Sequence, residues 1–224
     1  MISTSSIGRK LVMSISGVFL VLFLTFHSLM NLVVVISQDG YNAICGFLGA
    51  NWYALAGTAV LAAGFVVHIC FALWLTLQNL RARGRDKYAV TERQQTVSWA
   101  SKNMFVLGLI IFCFLGLHFY NFWYKMQFAE LTGIETGQFH AADGAAYVQD
   151  LFSCWVYCLV YIVWIGALWF HLTHGVWSAL QTIGLSNLKW LNRIKFVGNI
   201  VATIVCLIFV CVPVFFLIKN LFAL

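Results

Sequence analysis

Apolar positions along this chain fall into five long runs, with no sustained alternation and no one-sided helical stripe. The runs lie at roughly 11–37, 52–79, 103–124, 151–182 and 197–218. A helix needs about 20 predominantly apolar residues to cross a bilayer, and each run meets that length. The connectors are polar and mostly short. The pattern therefore predicts an all-α membrane protein, one five-helix bundle over residues 1–224, with no second domain. With no long soluble part, any catalytic head is expected on another polypeptide. The first run follows Arg9 and Lys10 as a signal peptide would, but it exceeds the 7–15 residues of such a segment and no A-x-A site closes it. It reads as a retained helix.

Composition agrees. The chain is 62% hydrophobic and 9% charged, with a mean hydropathy of +0.90, against about 25% charged in soluble domains. If the five helices alternate in direction, eleven of the 13 basic residues share one side. They are Arg9, Lys10, Arg81, Arg83, Arg85, Lys87, Arg93, Lys102, Lys189, Arg193 and Lys195; Lys125 and Lys219 remain for the other. Asp39, Glu130, Glu135, Asp143 and Asp150 lie in the basic-poor connectors. The positive-inside rule then makes the N-terminus cytoplasmic and the C-terminus external, as in a multi-pass protein of a bacterial cytoplasmic membrane. The net charge of +6 needs no nucleic acid to explain it. A basic inner face suits anionic lipid or an acidic soluble partner.

Candidate chemistry is concentrated in histidine. His27, His68, His118 and His174 each lie within a different apolar run. An ionisable side chain in a span is costly and marks function by default. One such residue is as readily a satisfied core histidine; four, on four helices, call for a shared cause. Imidazole ligates haem iron, and two imidazoles close both axial positions. Four histidines thus suggest two bis-histidine b haems and an electron path across the membrane. The seven cysteines lie mostly within or beside the spans and read as small packing residues rather than ligands. No C-x-x-C-H occurs, so covalent haem attachment is not indicated. No phosphate loop, nucleophile triad or carboxylate-rich metal cluster is visible either.

Depth suggests the pairing. His27 lies 11 residues before Gln38 and His118 lies 7 before Lys125, about 16 and 10 Å from the outer end. His68 follows Asn51 by 17 residues and His174 follows Asp150 by 24, about 26 and 36 Å. So His27 and His118 form the outer pair and His68 and His174 the inner pair, across the two diagonals of a four-helix bundle. The fifth helix has no histidine and is expected outside these four. Gly64, Gly175 and Ser178 allow close approach of a flat macrocycle, and equally serve helix packing. His171 shares roughly the face of His174 and is the alternative inner ligand. His140, in the polar connector 125–150, reads as a solvated surface histidine. Ser14, Ser16, Lys102 and Lys189 are candidate partners for haem propionates, or interfacial anchors.

Together with His27, His68 and His118, the segment Phe170-His171-Leu172-Thr173-His174-Gly175-Val176-Trp177-Ser178-Ala179-Leu180-Gln181-Thr182-Ile183-Gly184 resembles the dihaem cytochrome b subunit of succinate dehydrogenases and fumarate reductases. The resemblance covers essentially the whole chain. It implies a membrane anchor bound to a flavoprotein subunit and an iron–sulfur subunit, with two b haems and a quinone site, menaquinone being the usual partner. It carries the ligand role onto His27, His68, His118 and His174. The chain would be the electron-transfer subunit of a succinate:quinone oxidoreductase, with dicarboxylate chemistry on the partner subunits. A relative has a glutamate two residues before the last haem histidine, where this chain has Leu172, and the connector 38–51 holds no glutamate.

Two other readings stand beside this one. The first is the dihaem anchor of a formate, nitrate or hydrogen enzyme, though those place their ligands on fewer helices. The second is a non-haem transporter or assembly protein, though a proton relay would be expected to use intramembrane carboxylates.

Overall fold

The computed structural model describes residues 5–49, 51–83, 98–185 and 189–222. Among these all regular secondary structure is helical, without a strand. Five helices are long and apolar enough to cross a membrane, compatible with a multi-pass membrane protein.

Helix α1 (Ser6–Ile36) begins where Ser5 Oγ accepts from the Gly8 N–H at 2.9 Å, satisfying one of the first-turn donors that a helix leaves unpaired. It stops at Ser37, whose extended backbone breaks the helix while its N–H still reaches the Val33 carbonyl. The same Ser37 caps a second helix, α2 (Gln38–Phe47), by accepting from Gly40 N–H at 3.0 Å. Next come α3 (Trp52–Arg83), a single turn α4 (Trp99–Lys102) and α5 (Met104–His118). At Phe119 the ladder changes to a π-helix over Phe119–Phe128, then reverts to α for the short α6 (Ala129–Thr132). Gly133, at φ 67°, ends it in the left-handed conformation favoured after helices. Asp143 caps α7 (Gly144–Ser153), Cys154 breaks the chain, and α8 (Trp155–Thr182) and α9 (Leu191–Phe222) follow.

Four of the five expected spans share a start or an end with a helix to within one residue, and the last helix overruns its run at both ends. The fourth differs in a way that matters. The helix expected from residue 151 is divided at Cys154, because Phe152 turns into a core formed by Val34, Tyr41, Val148, Cys158, Tyr161 and Phe216. The membrane-length helix therefore starts at Trp155. The short helices α2 and α7, within expected connectors, cap this end together. Asn42 Nδ2 donates to Asp143 Oδ1 at 2.8 Å, and Ala145 N–H donates to Asn42 Oδ1 at 2.8 Å.

Packing is uneven. Helix α9 runs along α8 in the most extensive pairing of the molecule and also touches α1. It was expected outside the four histidine-bearing helices, yet a third of its most apolar window is buried, more than in any of them. Helix α3 leans on α1 and has no extended packing with α5 or α8. At one end it is clamped to the α5 side by polar contacts. Thr58 Oγ1 donates to Gln127 Oε1 at 3.2 Å, Trp123 Nε1 donates to the same oxygen at 2.8 Å, and Gln127 Nε2 donates to the Gly49 carbonyl. The basic residues Arg9, Lys10, Arg81, Lys189, Arg193 and Lys195 belong to the opposite end. Arg85, Lys87 and Arg93, expected to help dock a soluble partner, lie outside the described residues.

Candidate functional site

Histidine side chains meet inside the bundle at two levels. At the acid-rich end, His27 of α1 faces His118, the last residue of α5, with ring centroids 5.9 Å apart and planes at 89°. Two imidazoles on one first-row metal, each nitrogen about 2 Å from it, place their centroids roughly 6 Å apart. The pair therefore has the separation a shared iron needs. Aromatic rings wall it in. Phe23 stacks on His27 at 5.2 Å and Phe209 of α9 approaches it at 5.8 Å. Phe122, Trp164 and Tyr161 surround His118 at 5.2, 5.6 and 6.3 Å. Buried Asn121 donates to the Tyr161 hydroxyl at 3.4 Å. Two nitrogens in this cluster, His118 Nδ1 and Trp164 Nε1, are buried without a hydrogen-bond partner, an uncommon and costly state.

A second group forms toward the basic end. His68 of α3 rests on α1, where a side chain at Gly17 would lie 3.5 Å from its ring. Ser16 Oγ is 3.2 Å from His68 Nδ1 and donates its one proton to the Met13 carbonyl at 3.0 Å. The contact is then Nδ1–H donating to Oγ, which leaves the lone pair on Nε2. Such an outer hydrogen bond is how ligating imidazoles are commonly oriented.

Helix α8 brings two imidazoles to this level. His171 lies within electrostatic reach of both His68 and His174, and a side chain at Gly108 of α5 would lie 3.7 Å from its ring. His174 instead packs edge-on to Trp177 at 5.0 Å and feels the charge of Lys195, whose ammonium sits 4.8 Å from the Trp177 ring. Nδ1 of both His171 and His174 is buried without a partner. The later start of α8 changes the depth count. His68 is 16 residues into α3 and His171 is 16 residues into α8, whereas His174 is 19.

The two levels are evenly spaced. Along α1, Gly17 beside His68 precedes His27 by ten residues; along α5, Gly108 beside His171 precedes His118 by ten. Both intervals are about 15 Å. No group of three or more His, Cys, Asp or Glu side chains suited to a bare metal ion occurs among the described residues. Paired imidazoles alone leave four coordination positions to the bound group itself, which is what a tetrapyrrole supplies. The donor set thus fits a haem better than a free ion.

Other expected residues divide. Ser14 lines an interhelical pocket of about 490 Å³ with Lys10, Met13, Leu75, Ser178, Gln181 and Thr182. Ser16 serves His68. Lys102 and Lys189 are exposed. Gly64 accommodates the Phe19 ring, 2.6 Å from where its side chain would begin, so its smallness serves α1–α3 packing. No atom lies within 4 Å of the side-chain position at Gly175. His140 is exposed, its Nδ1 accepting from Ala142 N–H at 3.3 Å. Leu172 is buried in the α8–α9 seam with Val176, Ala202 and Cys206. Sequence reasoning missed Lys10, Trp164, Gln181 and Thr182. Lys10 and Thr182 had a signal, being polar at the ends of apolar runs. Comparisons with protein-family models, curated proteins and solved structures found no match.

Proposed function

We propose that this chain is the dihaem cytochrome b membrane anchor of a succinate dehydrogenase or fumarate reductase, passing electrons between an iron–sulfur subunit and membrane quinone. The observation that carries the reading is the opposed His27–His118 pair at 5.9 Å, with a second histidine level about 15 Å away. His27 and His118 would hold the outer haem. His68 would hold the inner one with an imidazole of α8. The expectation from sequence was His174; the equal depth of His68 and His171, and the proximity of both to small residues of neighbouring helices, favour His171. His174 remains the alternative.

A haem bound in this way supplies one-electron iron chemistry. Held by two imidazoles, it would serve electron transfer rather than oxygen chemistry. The chain's own part is placement. Ser16 orients His68, the aromatic rings around His27 and His118 exclude water, and the pocket with Lys10, Ser14, Ser178, Gln181 and Thr182 offers donors to the inner propionates. On this reading the basic end faces the cytoplasm, where the flavoprotein and iron–sulfur subunits dock, and the chain lies in a bacterial cytoplasmic membrane. Menaquinone or another quinone reacts at the acid-rich end, near the outer pair. Succinate or fumarate never touches this polypeptide.

The test is a visible spectrum and potentiometric titration of the purified chain. Two b haems per polypeptide, titrating at distinct potentials, are expected. A chain isolated from a haem-replete host without haem would end the proposal. Co-purification of a different soluble enzyme, with both haems present, would move the chain to another quinone-linked complex.

A further inference from the structure

On the outward face of α3, Cys70, Leu73, Trp74, Leu77, Gln78 and Arg81 line a recess of about 490 Å³ that the haem proposal leaves unused. Its character changes along the helix. Cys70 and Leu73 lie toward the middle of the span, whereas Gln78 and Arg81 lie at the basic end, about 16 Å further on. Arg9 of α1 reaches the same place, with its guanidinium carbon 5.5 Å from the Trp74 ring centroid. Arg9 Nε is buried and has no hydrogen-bond partner. An unmade bond of this kind is expensive at a charged group. The described carboxylates, Asp39, Glu130, Glu135, Asp143 and Asp150, all belong to the other end of the bundle or its connectors. Among the described residues, then, no acidic side chain answers Arg9 and Arg81.

We propose that this recess binds one anionic glycerophospholipid. Its phosphate sits between Arg81 and Arg9 and accepts from Arg9 Nε, and an acyl chain lies along Leu77, Leu73 and Cys70. Trp74 stands at headgroup depth, where its amphipathic ring is commonly found. Basic pockets at the ends of membrane helices recognise anionic headgroups in this manner. A zwitterionic lipid brings its own ammonium to the phosphate, so two guanidiniums with no acidic neighbour among the described residues select the anionic form. Neither arginine contacts a histidine, so the proposal stands or falls apart from haem binding.

The full chain is reconstituted in phosphatidylcholine vesicles, and phosphatidylglycerol or phosphatidylcholine with brominated acyl chains is titrated in. Bromine quenches indole fluorescence at contact, and the difference between the protein and its Trp74→Phe variant isolates Trp74. Half-maximal quenching of Trp74 is expected at a roughly 25-fold lower mole fraction of the anionic lipid, with about fivefold of that preference lost for each arginine replaced. Arg9→Gln with Arg81→Gln should abolish the preference, Arg81→Lys should keep most of it, and salt should weaken it. Should Arg9→Gln impair folding, the exposed Arg81 carries the test alone. Equal quenching by both lipids, quenching by neither, or a preference that survives Arg81→Gln unchanged would overturn the proposal.

Discussion

Helices α3 and α9 are each 32 residues long and strongly apolar, yet they are used in opposite ways. A third of the most apolar window of α9 is buried and none of that of α3. Helix α9 closes on α8 through small residues: a side chain at Gly198 would lie 3.3 Å from the Trp177 backbone nitrogen, and Ala202 is fully buried. In a bilayer, apolarity alone gives helices no reason to associate, and close backbone approach through small residues does. Helix α3 meets α1 at two glycines, Gly64 against Phe19 and Gly17 against His68, and reaches the π-helical stretch after α5 through the Thr58–Gln127 hydrogen bond. A helix held this loosely leaves room for the proposed haem to lie between α3, α5 and α8. On this view the bound group completes the packing of α3, whereas α9 is complete without it.

The strongest way to break that contrast is His68→Ala. Half of the b-type absorbance should disappear, and amide hydrogen exchange should accelerate severalfold along α3 while α9 stays protected. Equal loosening of α9 would mean the two helices share one cooperative unit. The same spectrum resolves α8: His171→Ala should remove the inner haem and His174→Ala should leave it.

Overpacking probes the other side. Ala202→Leu in the α8–α9 seam should cost about 1–3 kcal/mol, whereas Ala63→Leu on the exposed face of α3 should stay within about 0.5 kcal/mol. Unfolding in mixed micelles at graded detergent fraction measures both. Similar costs would show that α3 is as tightly seated as α9. A finer probe is Ser16→Ala, which frees the His68 ring without removing it. Inner-haem affinity should fall about 10- to 100-fold, read from haem transfer to an apoprotein acceptor, with the outer haem unchanged.

The smallest effect concerns the cap at the acid-rich end, which belongs to neither helix. Burial pushes the Cys45 thiol up to about 11 and raises the Tyr41 hydroxyl as well. Both groups are neutral when protonated, and the folded state holds their protons more tightly. Stability from Cys45 is therefore whole below the ordinary thiol value of 9.0 and drains away as pH rises to about 11. A denaturation midpoint that falls over this window in the native chain, and falls less in Cys45→Ala, is the expected result. Identical pH profiles would show that the thiol is solvated in solution.

The spans were legible in the sequence because a bilayer demands unbroken apolar length, and that demand is local. The two capping helices were not, since ten-residue amphipathic segments resemble connectors by composition. Their N-caps, Ser37 and Asp143, were nevertheless written in the chain. The break at Cys154 had no glycine or proline to announce it; it comes from Phe152 packing into a core shared with α9. That hidden break moved the origin from which depth on α8 is counted, and with it the weight between His171 and His174. The fifth helix was expected outside the other four from its lack of histidine, and Phe209 brings it against His27. Its close packing followed from glycine and alanine placement, whose partners only three dimensions supply.

The π-helical stretch after His118 bears on how the chain can change in length. Bonds from i to i+5 hold more residues per turn than the α-helices on either side, so Phe119–Phe128 stores slack. Deleting one residue there lets the stretch rewind toward α geometry, with His118 left in place on its inward side. The same deletion within α9 would rotate every later side chain out of the α8 seam. Insertions and deletions across homologous chains should therefore gather beyond His118, where the molecule can gain or lose a residue without disturbing the imidazole behind it.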